Sequence, residues 1–231
     1  MSFSPASKVR LTSRDLARFP GNTLFERIAR SVCAAGCLPR KELYESWEMA
    51  RRVRRVLRGG PVVDVAGGHG LLAHILLILD DTSPSACVVD PAIPHSSARI
   101  HAALVDAWPR LDGRVTYRAT AFDGAALAPG HLVVSCHACG ALTDTVLDLA
   151  AGARARVAVL PCCHDEVTCN AGVVQDWLDP ALAIDVMRAT RLSNRGYRVW
   201  TQSIPAAITP KNRLLMGEPL DIPGLSCGPS R

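Results

Sequence analysis

The chain has no apolar run long enough to matter to a bilayer. Its longest, Ile75 to Leu79 with flanking leucines, falls far short of the ~20 residues a spanning helix needs, so no membrane segment is expected. The N-terminus holds basic and hydroxylated residues but no apolar signal core, and Asp15 and Glu26 interrupt a transit-peptide pattern. A cytoplasmic location is the expectation. No internal repeat is found, which sets aside solenoids and propellers. Charge of one sign is scarcely in excess: 26 Lys and Arg against 21 Asp and Glu leave +5, compatible with a polyanionic partner without requiring one. What remains is an ordinary globular composition, 231 residues at 48% hydrophobic and 20% charged, enough for one buried core. Cysteine, by contrast, is not scarce. Without a secretory signal its nine copies read as reduced thiols used in packing, catalysis or metal binding.

The dinucleotide fingerprint is also missing. After the β-branched run Val62-Val63-Asp64-Val65 the chain has Ala66, Gly67, Gly68, His69 and Gly70, but no glycine three residues past Gly70. The β-branched run predicts a strand covered on both faces. The glycines permit backbone conformations and close approach that a Cβ would block, and Leu71 to Leu79 predicts a helix whose N-terminal amides face a ligand. Asp64-x-Ala66-x-Gly68-x-Gly70 resembles motif I of the class I S-adenosylmethionine (SAM) methyltransferases. In that resemblance Asp64 reaches the donor's amino group and Ala66, Gly67, Gly68 and Gly70 admit its methionine and ribose. Asp90, closing the next predicted strand Cys87 to Asp90, takes both ribose hydroxyls. His69 faces the donor's carboxylate or the acceptor, or is a turn residue of no consequence.

The remaining elements alternate. An irregular arm over residues 1–20 precedes predicted helices at Asn22 to Ala35 and Arg40 to Leu57. On the second, Leu43, Trp47 and Ala50 form one stripe, with Tyr44 beside it; these aromatics read as core, or as ligand contacts where the helix crosses the pocket mouth. Arg51, Arg52, Arg54, Arg55 and Arg58 form either a solvated face or a phosphate-contacting patch. A helix at Ser96 to Trp108 and strands at Arg114 to Ala119, His131 to Ser135 and Val157 to Leu160 follow, with helices at Leu142 to Ala150 and Pro180 to Asn194. Closing strands span Tyr197 to Ile204 and Arg213 to Met216. The alternation predicts an α/β fold with a doubly wound, mostly parallel, seven-stranded Rossmann-like sheet and N-terminal helices. The expected organisation is residues 1–58 as arm and helices packed on a catalytic domain at 59–217, with a loosely ordered tail at 218–231. Thr120 to Asp123 follows the third strand where this fold touches adenine: Phe122 offers a stacking face or a loop anchor, and Asp123 an acceptor for the exocyclic amine. Thr209-Pro-Lys-Asn-Arg213 reads as a turn or a phosphate grip, and Cys33 and Cys37 as core.

The second signal is Ser135-Cys136-His137-Ala138-Cys139-Gly140 with Thr143 and Asp144, coupled with Pro161-Cys162-Cys163-His164-Asp165. Strands one, four and five are neighbours in a doubly wound sheet, whose ligands bind beyond the strands' carboxyl ends, so both segments are expected at the donor. Ser135 and Cys136 would line the donor pocket. In a catalytic reading His137 or His164 accepts the acceptor's proton, Cys139 shapes the pocket, and Asp144 caps the next helix or orients His137. In a metal reading Cys136, Cys139, His164 and one of Cys162 and Cys163 form a tetrahedral zinc site, since adjacent strand residues point opposite ways. The two segments are similar to the catalytic domain of the tRNA 2′-O-methyltransferases that modify the fourth acceptor-stem nucleoside, over about residues 40–217. That resemblance implies a class I fold, SAM as donor and RNA as acceptor. The zinc modules preceding that catalytic domain in the tRNA enzymes are not found in this sequence, and its second motif has Asp165 where theirs more often carries another histidine. A small-molecule or protein acceptor, or a non-catalytic SAM- or zinc-binding module, is the alternative. Nothing in the sequence indicates an oligomeric state.

Overall fold

The structure, a computed structural model, describes residues 3–165 and 167–220. After a 3-10 turn at Ser13–Arg18 come α1 (Leu24–Ala35) and α2 (Arg40–Val56). Thr23 starts α1: its Oγ1 accepts from the Glu26 N–H at 3.2 Å while the Glu26 carboxylate accepts from Thr23, a capping box. Gly36, at φ +63°, ends it. The first β-branched run is β1 (Val62–Val65), and α3 (Leu71–Leu79) follows it over the expected residues. Next come β2 (Ala86–Val89), α4 (Ser97–Ala107), β3 (Val115–Arg118), β4 (Leu132–Ser135), α5 (Ala141–Gly152) and β5 (Arg156–Val159). The chain closes through α6 (Pro180–Asn194), β6 (Tyr197–Ser203) and β7 (Arg213–Pro219). Proline at the first position of α6, with the Asp179 carboxylate accepting from the Leu182 N–H at 3.1 Å, fixes where that helix begins.

The seven strands lie in the order β3-β2-β1-β4-β5-β7-β6, with β7 antiparallel to both of its neighbours and the other pairs parallel. This is the doubly wound sheet that the alternation predicts. The last strand runs three residues past Met216, so Glu218 and Pro219, the first residues of the tail expected over 218–231, pair with β6; the rest of that tail, from residue 221 on, lies outside the described residues. No helix fills the crossover from β3 to β4, which is a loop over residues 119–131.

One apolar cluster runs from Leu11, Ile28, Leu43 and Met49 of the N-terminal segment into Val62, Ile75, Leu76 and Val88. The N-terminal helices and the sheet therefore share a core. Among the described residues no helix is long and apolar enough to cross a membrane.

Candidate active site

Between β1 and α3 the backbone enters the left-handed region at alternate residues: Ala66 (φ +53°), Gly68 (+50°) and Gly70 (+73°). For alanine this costs about 1–2 kcal/mol, held in place by the sheet on one side and α3 on the other. At Gly70 a Cβ would lie 2.8 Å from Val88 Cγ2 and 2.9 Å from Tyr117 Oη, whereas at Gly68 it would meet nothing within 4 Å. The turn is packed beneath and open above.

Asp64 lies under this turn, 1% exposed. Its Oδ2 accepts from the Ala73 N–H at 3.2 Å and its Oδ1 is buried without a partner. Burial pushes this carboxyl up to about 7; the Ala73 bond opposes the shift and the charges of Glu42 and Asp90 add to it. Since β1 pairs Asp64 with Val88 on β2, Asp90 comes two residues further along the adjacent strand direction. The Asp90 carboxylate accepts from Gly68 N–H at 3.0 Å and from Ala92 N–H at 2.8 Å, so it braces the turn itself. His69 has its Nε2 2.8 Å from Ser96 Oγ, and its carbonyl accepts from the Tyr117 hydroxyl at 3.0 Å. Burial, then the charges of Arg10 and Arg99, hold the His69 imidazole below its usual value.

From β4, the Ser135 hydroxyl donates to Val65 O at 2.7 Å and accepts from Ala138 N–H at 3.0 Å, locking the two strand ends together. The Cys136 sulfur, a His137 ring nitrogen and a Glu45 carboxylate oxygen lie within 4.8 Å of one another. Glu45 comes from α2, where it pairs with Lys41 at 2.5 Å. Burial pushes Glu42, on the same helix, up to about 7, with the Glu45 charge adding to it. Burial lowers the His137 imidazole and so favours its neutral form; Glu45 opposes that shift and Lys41 reinforces it. Neither Glu42 nor Glu45 is read as functional from sequence. A signal was available: two acids three residues apart, with Lys41, on a helix that leads directly into β1. Tyr44 and Trp47 pack on the core and on Phe25, with ring centroids 5.1 and 5.4 Å distant.

The loops after β4 and β5 do meet, but not as the spacing suggests. Cys139 Sγ lies 2.8 Å from Cys162 Sγ, and Cys163 Sγ lies 3.8 Å from Cys162 Sγ. Both adjacent cysteines reach Cys139, because β5 ends at Val159 and strand alternation no longer applies beyond it. Cys136 is on the other side of this loop with Glu45 and His137, so it does not join them. His164 is turned to α6, its Nε2 2.8 Å from Asp185 Oδ1 and its Nδ1 buried without a partner. Asp144 neither caps α5, whose N-cap is Gly140, nor bonds His137. It pairs with Arg188 at 2.7 Å and Arg191 at 2.6 Å. Burial raises the Asp144 carboxyl, but these guanidinium groups outweigh it and hold the carboxyl below its ordinary range. Arg188, 1% exposed, also donates to Gly140 O at 3.1 Å and Cys169 Sγ at 3.4 Å and pairs with Asp185 at 3.3 Å. This hub was not legible in the sequence.

Phe122 packs against the cluster containing Val65 and Val133 and lines a cavity of about 220 Å³ with Val63, Cys87, Thr116 and Val89. Asp123 is exposed and its carboxylate accepts from the Ala125 N–H at 2.9 Å. The α2 arginines are largely consumed. Arg51 and Arg52 pair with Glu48, and Arg54 and, beyond the helix, Arg58 with Asp80, while Arg55 is exposed and in no ion pair among the described residues, so four of the five are held by carboxylates. In the 209–213 segment Lys211 N–H donates to Thr209 Oγ1 and Arg213 pairs with Asp185: it is a turn. Arg10 and Arg99, both exposed, make no ion pair among the described residues.

SAM fits what these residues offer. It carries a sulfonium and an amino cation, and the turn presents a buried carboxylate oxygen without a partner beside an open glycine face, with Glu42 and Glu45 adding negative potential.

Residues 41–170 match the family model described as a methyltransferase domain. No curated protein sequence matches the chain. Among solved structures it is similar to the mitomycin 7-O-methyltransferase MmcR, at 18% identity over 91% of this chain and 64% of that one, with a TM-score of 0.51. It is also similar to an O-methyltransferase family protein from Burkholderia thailandensis, at 19% identity over 92% and 65%, with a TM-score of 0.49. The chain spans about two thirds of the length of these two proteins. A third similarity is to human N-acetylserotonin methyltransferase, solved with SAM, at 13% identity over 84% and 56%, with a TM-score of 0.46. With the family model covering more than half of the chain, this protein belongs to the methyltransferase-domain family and is a SAM-dependent methyltransferase.

Proposed function

We propose that the chain transfers the SAM methyl group to an oxygen or nitrogen of RNA, a ribose 2′-hydroxyl being one acceptor of this class. In this reading the donor lies on the turn formed by Ala66, Gly67, Gly68, His69 and Gly70, with its amino group at Asp64 and its ribose at Asp90. Ser135 and Cys136 wall the methionine side. Phe122 and Asp123 belong to the adenine side, supported by their sharing a cavity wall with Val89, the residue before Asp90. The donor, when bound, supplies an electrophilic methyl carbon. His137 accepts the acceptor's proton, since burial favours its neutral form and Glu45 is placed to stabilise the imidazolium that forms. Positioning supplies much of the remaining rate. His164 and Asp144 act at a distance here, holding α6 against the loops that carry His137 and Cys162.

The observation that carries the RNA assignment is the placement of basic charge. Arg10 and Arg99, whose charges act on His69, are exposed and make no ion pair among the described residues. Exposed, unpaired guanidinium groups suit phosphates. Incubation of the protein with methyl-labelled SAM and separate RNA, protein and small-metabolite fractions tests the assignment. Label entering RNA is the expected result, and label confined to another fraction refutes it.

A further inference from the structure

Beyond the carboxyl ends of β4 and β5, three thiols from two loops occupy one small volume: the sulfurs of Cys139, Cys162 and Cys163 all lie within 4.8 Å of one another. A disulfide would use two of them and leave the third idle. A tetrahedral zinc ion uses all three. With Zn–S bonds of ~2.3 Å, the sulfurs of such a site stand roughly 3.8 Å apart. Cys162 and Cys163 already have that separation, at 3.8 Å, whereas the 2.8 Å from Cys139 to Cys162 has to open by about 1 Å. Exposure of Cys139 and Cys163 gives the ion a route in and leaves one side to solvent.

We propose that Cys139, Cys162 and Cys163 bind a Zn²⁺ ion as three thiolates, with the fourth coordination position open to water. Each thiol gives up its proton to solvent as its metal–sulfur bond forms, so neither oxidant nor reductant is needed. The neighbouring donors lie elsewhere: Cys136 beside Glu45 and His137, His164 bonded to Asp185, and Cys169 to Arg188. Three protein ligands and an open position are the pattern of an accessible rather than a closed structural site. The ion ties the loop bearing His137, two residues before Cys139, to the loop after β5, and so sets the width of the pocket on its acceptor side. The site is independent of the acceptor assignment, because its test uses neither donor nor RNA.

The full chain, purified under reducing conditions without chelator, is expected to retain stoichiometric zinc by elemental analysis. After zinc removal, titration with Co²⁺ is expected to give a thiolate-to-cobalt charge-transfer band and the visible bands of a tetrahedral ion. Cys139→Ser, Cys162→Ser and Cys163→Ser should each weaken Co²⁺ binding at least about tenfold, while Cys87→Ser, outside the cluster, leaves it unchanged. Absence of the cobalt band in the reduced wild-type chain overturns the proposal even if a variant fails to fold. So does metal held equally well by all three serine variants, or a Cys139–Cys162 disulfide as the state recovered under reducing conditions.

Discussion

Replacing Asp64 with asparagine separates the stability of this protein from its use of the donor. In the ligand-free chain the Asp64 carboxyl is buried, has one hydrogen bond, and is pushed from its ordinary 3.8 up to about 7. Such a group binds its proton more tightly in the folded than in the unfolded chain. Its contribution to stability is therefore complete below about pH 4 and is lost as the pH rises through about 7. Full conversion of that shift gives about 4 kcal/mol; because Glu42 titrates against the same charge, half of it, about 2 kcal/mol, is the working expectation between pH 5 and pH 8. For a chain of this size that is roughly 4–8 °C in melting temperature. The asparagine side chain would keep an acceptor for the Ala73 N–H and place an amide where Oδ1 has no partner. Whatever that amide adds or removes does not change with pH, so the observable is the slope. Thermal melts from pH 5 to pH 8 should show the wild type losing stability and Asp64→Asn losing much less; Glu42, itself raised to about 7, keeps part of the slope until Glu42→Gln is added. Calorimetric titration at pH 8 should show the same variant binding SAM about ten- to a hundredfold more weakly, the loss of one hydrogen bond to a charged group. Parallel melting curves for the two proteins across this range, or undiminished SAM affinity, would refute the reasoning.

Further perturbations test other parts of the site. His137→Ala should lower kcat by ~10²–10⁴ with SAM affinity preserved, measured by titration beside a single-turnover assay. Gly70→Ala adds a Cβ at φ +73°, 2.8 Å from Val88, and should lower both melting temperature and SAM affinity. Gly68→Ala meets no neighbour, so it should cost only about 1–2 kcal/mol of backbone strain while intruding on the open face of the turn. Replacing Arg188 with methionine leaves Asp144 to Arg191 and Asp185 to Arg213 and His164, and should cost about 1–3 kcal/mol in denaturant unfolding. Arg10→Glu with Arg99→Glu should weaken RNA binding and reduce its salt slope by roughly 1.5–2, while the SAM dissociation constant stays unchanged; an unaltered slope removes these residues from the acceptor path.

What the sequence made legible was whatever depends on neighbours along the chain. Val62 to Val65, the glycines after it and Leu71 to Leu79 specify strand, turn and helix by local rules, and the Asp64 to Asp90 spacing follows from one crossover. The strand order then brings the β4 and β5 loops together without any further information. What was not legible was whatever depends on partners distant in sequence. Asp144 and His164 looked like site residues because they adjoin His137 and Cys162, yet their partners, Arg188 and Asp185, come from a helix about 20 to 45 residues further on and carry no local mark. The acids of α2 were missed for a related reason. Its apolar stripe suggested one buried face and one solvated face, but the helix is buried on two sides: Leu43 and Met49 meet the core while Lys41, Glu42 and Glu45 meet the strand ends. An amphipathic pattern distinguishes apolar from polar surroundings; it does not distinguish water from a charged pocket. The acids of α2 and Asp64 repel one another when nothing cationic lies among them, and that repulsion is relieved by a ligand bearing positive charge. Conditional stability of this kind is invisible to propensity and periodicity, because it belongs to the complex rather than to the folded chain alone.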